Sequence, residues 1–208
     1  MVESQVRPSD VTDRRIMTAM MAVPRERFVP QRLAGLAYMD TALTLDGGRS
    51  LMAPRDFARL IQLAGIESDE RVLDVGSGGG YSAAVLARMA GTVVALDCDA
   101  TATAGSRSAL AEVGADNVTA VTGPLQDGWT DGAPYDVMVV EGGVSQIPEA
   151  LKAQLAPGGR LVAAVVTAGI GRAVVWRREA GDGAPRVAFE IGAPRLPGFD
   201  AATPRFEL

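Results

Sequence analysis

A glycine-rich turn constrains what this chain can fold into more than any other feature. The run DVGSGGGY, residues 74–81, follows a short apolar segment and leads into an alanine-rich helical stretch. Glycines between a strand and a helix let a ligand approach the backbone closely, and the helix start offers free N–H groups. Asp97 follows Gly76 by 21 positions, at the end of the next predicted strand, where an acidic side chain accepts hydrogen bonds from ribose hydroxyls. The turn and the acid together predict a nucleotide-binding α/β fold.

Strands and helices alternate through the middle of the chain. The predicted strands are Arg71–Val75, Thr92–Asp97, Val118–Thr122, 135–141 and 160–166, and the helices between them are 83–89, 100–113 and 149–155. Near-continuous Val, Leu and Ala in the strands indicate a parallel sheet that is buried on both faces. Two further strand-like segments, 173–178 and 186–191, are joined by a glycine-rich turn without a helix. They predict an antiparallel hairpin that closes the sheet.

The whole pattern predicts a Rossmann-like α/β fold in a single domain, residues 1–208. Residues 1–65 are expected to form an N-terminal helical, substrate-side extension, with helical character over 9–34, interrupted at Pro24 and Pro30, and a helix from Pro54 to Gly65. Residues 66–166 form the nucleotide-binding core. Residues 167–208 form the C-terminal hairpin and tail, which completes a mostly parallel, seven-stranded sheet.

Composition excludes several functions. The chain has no histidine and one cysteine, Cys98, so it lacks the usual general base and the residues for a disulfide or a thiolate metal cluster. We expect no metal site. The net charge of -5 argues against binding to nucleic acid. The start lacks a basic segment followed by an apolar run, and apolar stretches are too short to span a bilayer, so no membrane association and a cytoplasmic location are expected.

The glycine pattern indicates which nucleotide is bound. A dinucleotide fingerprint that starts at Gly76 requires glycine at position 81, which is Tyr81. The D-x-G-x-G-x-G form is typical of class I methyltransferases, which bind S-adenosyl-L-methionine. From Val2 to about Pro197 the chain resembles the protein-L-isoaspartate O-methyltransferase family. The blocks that carry this resemblance are AMMAVPRERFVP, AYMDTALTL, RVLDVGSGGGYSAAVLARMAG and PYDVMVVEGGVSQIPEALKAQLAPGGRLV.

The resemblance implies transfer of a methyl group from S-adenosyl-L-methionine to the carboxylate of an isoaspartyl-containing protein or peptide. A carboxylate with a pKa near ~4 is already deprotonated at neutral pH, so a chain without histidine loses nothing. Catalysis then consists chiefly of aligning the reacting groups in a pocket that excludes water. The positions that correspond to the family's cofactor contacts are Leu51, Met52, Asp74, Gly76, Ser77, Gly78, Gly80, Tyr81, Asp97, Cys98, Gly123 and Leu125.

Two motifs depart from the family pattern. The family's Thr-Ile-Ser run before a proline corresponds here to Ser50-Leu51-Met52-Ala53-Pro54, so Met52 replaces the serine with the active-site role. Ser50 is the remaining hydroxyl in that run and is one candidate catalytic residue. After the third strand, Gly123-Pro124-Leu125 lacks the family's adenine-binding aspartate. Gln126 or Asp127 could replace it, or backbone groups alone could hold adenine.

Glu141 is the third departure and the second candidate catalytic residue. It stands where the family has a small residue followed by alanines, near the expected site of methyl transfer. At about 4 Å and an effective dielectric near 20 its charge repels a carboxylate by about 4 kcal/mol, unless it pairs with the cofactor's amino group, Arg49 or Arg55. It could also act as a base for a hydroxyl or amine. Two alternatives therefore stay open: a methyltransferase with another acceptor, such as a small-molecule acceptor, and a non-catalytic cofactor-binding module.

Overall fold

The computed structural model describes residues 1–179 and 183–199. Its N-terminal part contains helix α1 (Arg14–Ala22), a short antiparallel pair of strands, β1 (Leu43–Thr44) and β2 (Ser50–Leu51), and helix α2 (Pro54–Ala64). As expected, α2 begins at a proline and ends at Gly65, which adopts a left-handed conformation. The other helical segments here are short turns at Val2–Val6, Arg7–Ser9, Arg25–Phe28, Gln31–Leu36 and Asp46–Gly48.

A seven-stranded sheet forms the centre of the molecule. Its strands are β3 (Arg71–Val75), β4 (Thr92–Asp97), β5 (Val118–Thr122), β6 (Tyr135–Val144), β7 (Leu155–Thr167), β8 (Ile170–Arg177) and β9 (Arg186–Glu190). The order across the sheet is β5-β4-β3-β6-β7-β8-β9. Pairings among β3 to β7 are parallel, and β8 is antiparallel to both β7 and β9. The predicted Rossmann-like fold, with its antiparallel C-terminal hairpin, is confirmed.

Helices cover both faces of the sheet and enclose two apolar cores. The remaining helices are α3 (Tyr81–Leu86), α4 (Ala100–Glu112) and α5 (Glu149–Ala153), with short turns at Leu125–Asp127 and Thr130–Gly132. Alternate strand residues face opposite sides: Val72 belongs to the core that contains α1 to α4, and Leu73 to the core that contains α5. Within the described residues no helix is long and apolar enough to cross a membrane.

Several element boundaries differ from those predicted. In the stretch 9–34 the expected interruptions at Pro24 and Pro30 are present, but only α1 is an α-helix, and two short turns follow it around Pro30. Strand β6 continues past 141 to Val144 with an irregular register between Val139 and Gly143. Strand β7 begins before the predicted strand 160–166, and residues 157–159 lie inside it as a bulge, since the ladder passes from Tyr135–Leu155 to Val137–Arg160.

Candidate active site

The carboxyl ends of β4, β3 and β6, which are neighbours in the sheet, bring the predicted site residues together. The glycine turn follows β3 and lies between Asp97, at the end of β4, and Glu141, near the end of β6. Gly76, Gly78 and Gly80 have φ angles of 86°, 54° and 92°, which L side chains rarely adopt. The N–H groups of Gly76 and Ser77 donate to the Leu96 carbonyl at 2.8 and 3.1 Å. The backbone thus folds back onto β4 beside the acid.

Gly79 serves a different purpose from the other glycines. A Cβ atom on this residue would lie 2.4 Å from the carbonyl oxygen of Phe28. Phe28 belongs to the N-terminal part of the chain, which packs directly against the turn. The glycine is required by this contact and was not among the predicted site residues.

Asp97 is held by four N–H donors. Its carboxylate accepts from the backbone N–H of Gly78 at 2.8 Å and of Asp99 at 3.0 Å. Arg49 donates to it from Nη2 at 2.8 Å and from Nε at 3.1 Å, and the same Nη2 donates to the Gly76 carbonyl at 2.8 Å. The side chains of Arg49 and Asp97 are 3% and 1% exposed. Of the two arginines singled out in the sequence, Arg49 thus pairs with Asp97, and the half-exposed Arg55 pairs with Asp40 at 3.1 Å.

A cluster of buried polar side chains lies at the same end of the sheet. Asp74, Tyr81, Glu141 and Arg25 are each 6% exposed or less. Each has one atom without a hydrogen-bond partner: Asp74 Oδ1, Tyr81 OH, Glu141 Oε1 and Arg25 Nη1. Such groups are normally paired when buried. We call these four residues the buried polar cluster.

Neighbouring groups hold the buried polar cluster in place. Ser82 Oγ donates to Asp74 Oδ2 at 2.6 Å. Arg25 donates to the carbonyls of Ala37 and Met52 at 2.7 and 2.5 Å, and its guanidinium carbon lies 4.6 Å from the centre of the Tyr81 ring. Arg25 thereby ties the N-terminal part of the chain to helix α3. Sequence reasoning missed it, although an arginine in the run AMMAVPRERFVP was a visible signal.

Burial dominates the electrostatics of the two acids in this cluster. Burial raises the pKa of Asp74 to about 7, with the Ser82 hydrogen bond opposing and the charge of Asp97 adding to the shift. Burial also raises the pKa of Glu141 well above its usual range; Asp74 adds to that shift and Arg25 opposes it. A cationic ligand group would pair with these carboxyls and lower both pKa values. The orphaned carboxyl oxygens therefore fit the ammonium group of S-adenosyl-L-methionine.

The remaining predicted residues line the same end of the sheet. Ser50 is half-buried in β2, directly after Arg49, whereas Leu51 and Met52 are 8% and 2% exposed. Leu125 is buried and packs in the apolar core that contains α5. A Cβ atom on Gly123 would lie 3.5 Å from both Leu96 and Trp129, and Cys98 is exposed. Their roles toward a cofactor stay predictions.

The segment 194–199 crosses this end of the sheet and was missed. The N–H of Gly143 donates to the Pro194 carbonyl at 2.7 Å, and the N–H of Leu196 donates to the Gly143 carbonyl at 2.9 Å. Ser145 donates to the Phe199 carbonyl from Oγ at 2.5 Å and from N at 3.4 Å. A Cβ atom on Gly76 would lie 2.9 Å from Leu196 Cδ2, and one on Gly142 would lie 2.6 Å from Leu196 Cγ. The only sequence signal for this contact is the apolar pair Leu196 and Phe199 in a short segment that contains proline and glycine.

The sheet order, the glycine turn after β3 and the acid at the end of β4 define a class I methyltransferase fold. Residues 1–185 match the family described as protein-L-isoaspartate(D-aspartate) O-methyltransferase. The chain belongs to this family, as its sequence predicted. It is 41% identical to protein-L-isoaspartate O-methyltransferase 1 of Rhodopseudomonas palustris (strain HaA2) over 162 residues, which cover 78% of this chain and 66% of that relative. A Methylorubrum extorquens (strain PA1) protein-L-isoaspartate O-methyltransferase is 44% identical over 162 residues, 78% of this chain and 71% of its own length.

Solved structures agree with this assignment. A protein-L-isoaspartate O-methyltransferase superposes with a TM-score of 0.80 at 26% identity, over 92% of this chain and 63% of that one. A Plasmodium falciparum protein solved with S-adenosyl-L-homocysteine gives a TM-score of 0.76 at 20% identity, over 91% and 93% of the two chains. At that identity the second likeness shows the fold alone. The chain spans about two thirds of the length of the first relative and of the first structure.

Proposed function

We propose that this chain transfers the methyl group of S-adenosyl-L-methionine to the free carboxylate of isoaspartyl residues in proteins or peptides. Family membership supports the reaction, and the observation that carries it is the pair of orphaned carboxyl oxygens on Asp74 and Glu141 beside the glycine turn. A cofactor with an ammonium group supplies the hydrogen bonds that these oxygens lack.

The cofactor supplies the activated methyl group when it is bound. In this proposal Asp74 and Glu141 hold its ammonium group, and the turn at Gly76, Ser77, Gly78 and Gly80 approaches it through backbone atoms. Asp97 takes the ribose hydroxyls. Cys98, Gly123 and Leu125 form the walls around adenine, and Leu51, Met52 and Tyr81 exclude water from the region of transfer.

The acceptor needs orientation and no proton removal. A carboxylate with a pKa near ~4 is a ready nucleophile at neutral pH, which suits a chain without histidine. Arg25 Nη1 and Tyr81 OH are buried donors without partners and can hold one carboxylate oxygen while the other attacks. Ser50 offers a further hydroxyl at the edge of the site. Once Glu141 pairs with the ammonium group, its charge is largely compensated, which reduces repulsion of the acceptor.

A second candidate function is methylation of a hydroxyl or amine acceptor, including a small molecule. Glu141 favours it, because a buried carboxyl with a raised pKa is suited to accept a proton near neutral pH. The two candidates share the cofactor and differ in the acceptor. A single assay separates them.

The test is transfer of labelled methyl from S-adenosyl-L-methionine to an isoaspartyl peptide, with the matched aspartyl peptide as control. We expect label on the isoaspartyl peptide alone, released as methanol by mild base because the product is an ester. Label that resists base would favour the second candidate, and no label from protein that still binds cofactor would reject carboxyl methylation of this peptide.

The cofactor assignment has its own test. S-adenosyl-L-homocysteine at 100 times its Kd should add about 2.7 kcal/mol to the free energy of unfolding. Asp97→Ala should abolish most of this shift, because it removes the carboxylate proposed to bind ribose. Asp97→Asn is the companion variant that keeps the side-chain volume beside Arg49, and the exposed Asp131→Ala is the control. An unchanged shift in both Asp97 variants would remove this residue from the cofactor site.

A further inference from the structure

Two side chains from distant parts of the sequence lie over the glycine turn. Leu196 and Arg49 are the nearest neighbours of Gly76: a Cβ atom there would lie 2.9 Å from Leu196 Cδ2 and 3.1 Å from Arg49 Nη2. The missing side chain of Gly76 lets another group approach its backbone. In this structure Leu196 and Arg49 approach the backbone of Gly76.

Arg49 occupies hydrogen-bond acceptor sites of the Asp97 carboxylate. An ionised carboxylate offers about four lone-pair sites, and here Gly78, Asp99 and the two donating nitrogens of Arg49 take them. Ribose hydroxyls can bind this carboxylate only when Arg49 releases it. The pair is buried on both sides, so release leaves Asp97 with the neutral hydroxyls and its backbone donors, and Arg49 needs another acceptor.

The segment 195–199 closes the other side of the cleft. Leu196 packs between Gly76 and Gly142, and Phe199 joins Leu125 in one apolar cluster. Three backbone hydrogen bonds fix the segment, and Pro194 directly before it, to the end of β6; they involve the amides of Gly143, Ser145 and Leu196. A Cβ atom on Gly198 would lie 2.6 Å from Gln126 Oε1, so the segment passes beside Gln126, the neighbour of Leu125, where the proposed function places adenine.

The same closed arrangement leaves the buried polar cluster unsatisfied. A buried polar atom without a partner destabilises the arrangement that leaves it so, and four such atoms lie on Arg25, Asp74, Tyr81 and Glu141. A cavity of about 280 Å³ adjoins Arg49, and Asp46 and Asp99 line its wall. A guanidinium released from Asp97 has both space and carboxylates there.

We propose that Arg49 and the segment 195–199 form a latch across the cofactor cleft, and that S-adenosyl-L-methionine or S-adenosyl-L-homocysteine must displace this latch to bind. The proposal rests on the proposed function for the identity of the ligand. The latch and the ligand compete for Gly76, for Asp97 and for the space beside the turn that carries Leu125 and Gln126. The observed affinity is therefore the intrinsic affinity multiplied by the fraction of molecules in which the latch is open.

Hydrogen exchange of the full chain, with and without saturating S-adenosyl-L-homocysteine, tests the displacement directly. Binding usually slows exchange near a ligand. The latch predicts the opposite for the amides of Gly143, Ser145 and Leu196, which exchange faster with ligand, while amides of the β4–β5 ladder do not. Slower or unchanged exchange at these three amides, in protein that binds the ligand by calorimetry, overturns the latch and leaves the proposed function standing.

Two variants open the latch by different means. Leu196→Ala removes the side chain over Gly76, and Gly142→Ala introduces a Cβ atom 2.6 Å from Leu196 Cγ and 2.8 Å from the Pro194 carbonyl. We expect each to tighten the Kd for S-adenosyl-L-homocysteine about tenfold, which corresponds to about 1.4 kcal/mol. Leu155→Ala, a buried leucine of the same core at the opposite end of the strands, is the matched control and should lower stability without changing the Kd.

Each result of the affinity measurement has one meaning. Tighter binding in either latch variant, with the control unchanged, supports the latch. Weaker or equal binding in both folded latch variants makes Leu196 a wall of the cofactor site and overturns the proposal. If neither the wild type nor any variant binds S-adenosyl-L-homocysteine, the proposed function fails, and the latch fails with it.

Discussion

Glu141 is a carboxyl group that the fold removes from water without a partner for Oε1. It lies where the register of β6 against β7 shifts, between Val139 and Gly143. Such irregularities redirect side chains, often beside active sites. Burial keeps its pKa raised, and Asp74 reinforces the effect, so the neutral acid persists to higher pH than in an exposed glutamate.

Replacing Glu141 tests whether its ionisation controls turnover. As pH rises Glu141 ionises, and the part of its charge that the cofactor's ammonium group leaves uncompensated repels a carboxylate acceptor, so the wild-type rate on an isoaspartyl peptide should fall. Glu141→Gln has no charge to gain and should keep its rate to higher pH, several-fold above the wild type there, with a smaller change in cofactor affinity. Initial rates from pH 6 to 9 measure this.

The control for this prediction is Glu190→Gln, an exposed carboxyl at the end of β9. It should follow the wild-type pH profile. If Glu141→Gln does the same at every pH, Glu141 takes no part in turnover.

At this scale the sequence predicts which acids matter but not their partners. Asp74 and Asp97 are recognisable because the motif fixes their distance from the glycines. That Arg49 binds Asp97 was not predictable, since the side chains of an arginine and an acid 48 positions apart meet only after β2 is placed over the turn. Ser50 and Glu141 stay candidates for catalysis.

At the scale of elements, the β1–β2 turn and the start of α4 support each other. A Cβ atom on Gly47, in the turn, would lie 2.7 Å from Asp99 Oδ2. Asp99 precedes α4 and accepts hydrogen bonds from the N–H groups of Thr101 and Ala102 at 2.7 and 3.2 Å. The Asp99 carboxylate therefore caps α4 and also packs against the β1–β2 turn, which is followed directly by Arg49.

Removal of this cap should be measurable. Asp99→Ala leaves two helix N–H groups without acceptors, and we expect a loss of about 1 kcal/mol in the free energy of unfolding. In a chain of this size that corresponds to a Tm lower by about 2–4 °C. The exposed loop residue Asp116, substituted by alanine, is the control and should leave the Tm unchanged. Equal Tm values for both variants would contradict the capping role.

Element types were more predictable than element ends. Runs of apolar residues identify β3, β4 and β5 because parallel strands are buried on both faces. The extension of β6 to Val144 was not predictable, because Gly142 and Gly143 have low strand propensity and Gly143 is held by the Pro194 and Leu196 backbone. Tertiary contacts outweigh local preference there.

At the scale of the molecule, two apolar cores pack on the two faces of the sheet. The buried polar cluster places titratable side chains together at one end of that sheet. Burial is the first cause of the raised pKa of both Asp74 and Glu141. A buried acid whose pKa is higher in the folded than in the unfolded state makes the free energy of unfolding depend on pH.

Stability should therefore decline as the pH rises across the neutral range. Asp74 binds its proton more tightly in the folded state, so its contribution is complete below about pH 4 and is lost as pH rises through about 7. One such group changes the free energy of unfolding by about 1.4 kcal/mol per pH unit within this window. Urea denaturation from pH 5 to 8 measures the slope.

Asp74→Asn is the comparison that isolates this group. It keeps the shape of the side chain beside Ser82 and has no proton to lose, so its stability should depend less steeply on pH than that of the wild type. Identical slopes for the two proteins would show that Asp74 does not titrate in this range.

The fold class was predictable for the whole molecule because one local motif implies a strand, a turn, a helix and a neighbouring acidic strand end. The division at residues 65 and 166 stays a prediction, and residues 180–182 and 200–208 of the predicted hairpin and tail lie outside the described part. The closure by 195–199 could not be predicted, since it depends on the path of the chain after β9.

Gly79 occupies a position that the motif D-x-G-x-G-x-G leaves open to any residue, yet the Phe28 carbonyl leaves no room for a side chain. The space that a side chain at position 79 would need is thus occupied by the backbone of position 28, which lies 51 residues earlier in the sequence. In an alignment of related chains the two regions should covary. Glycine at 79 would mark sequences in which the N-terminal part lies close against the turn, and a larger residue would mark those in which it stands farther away.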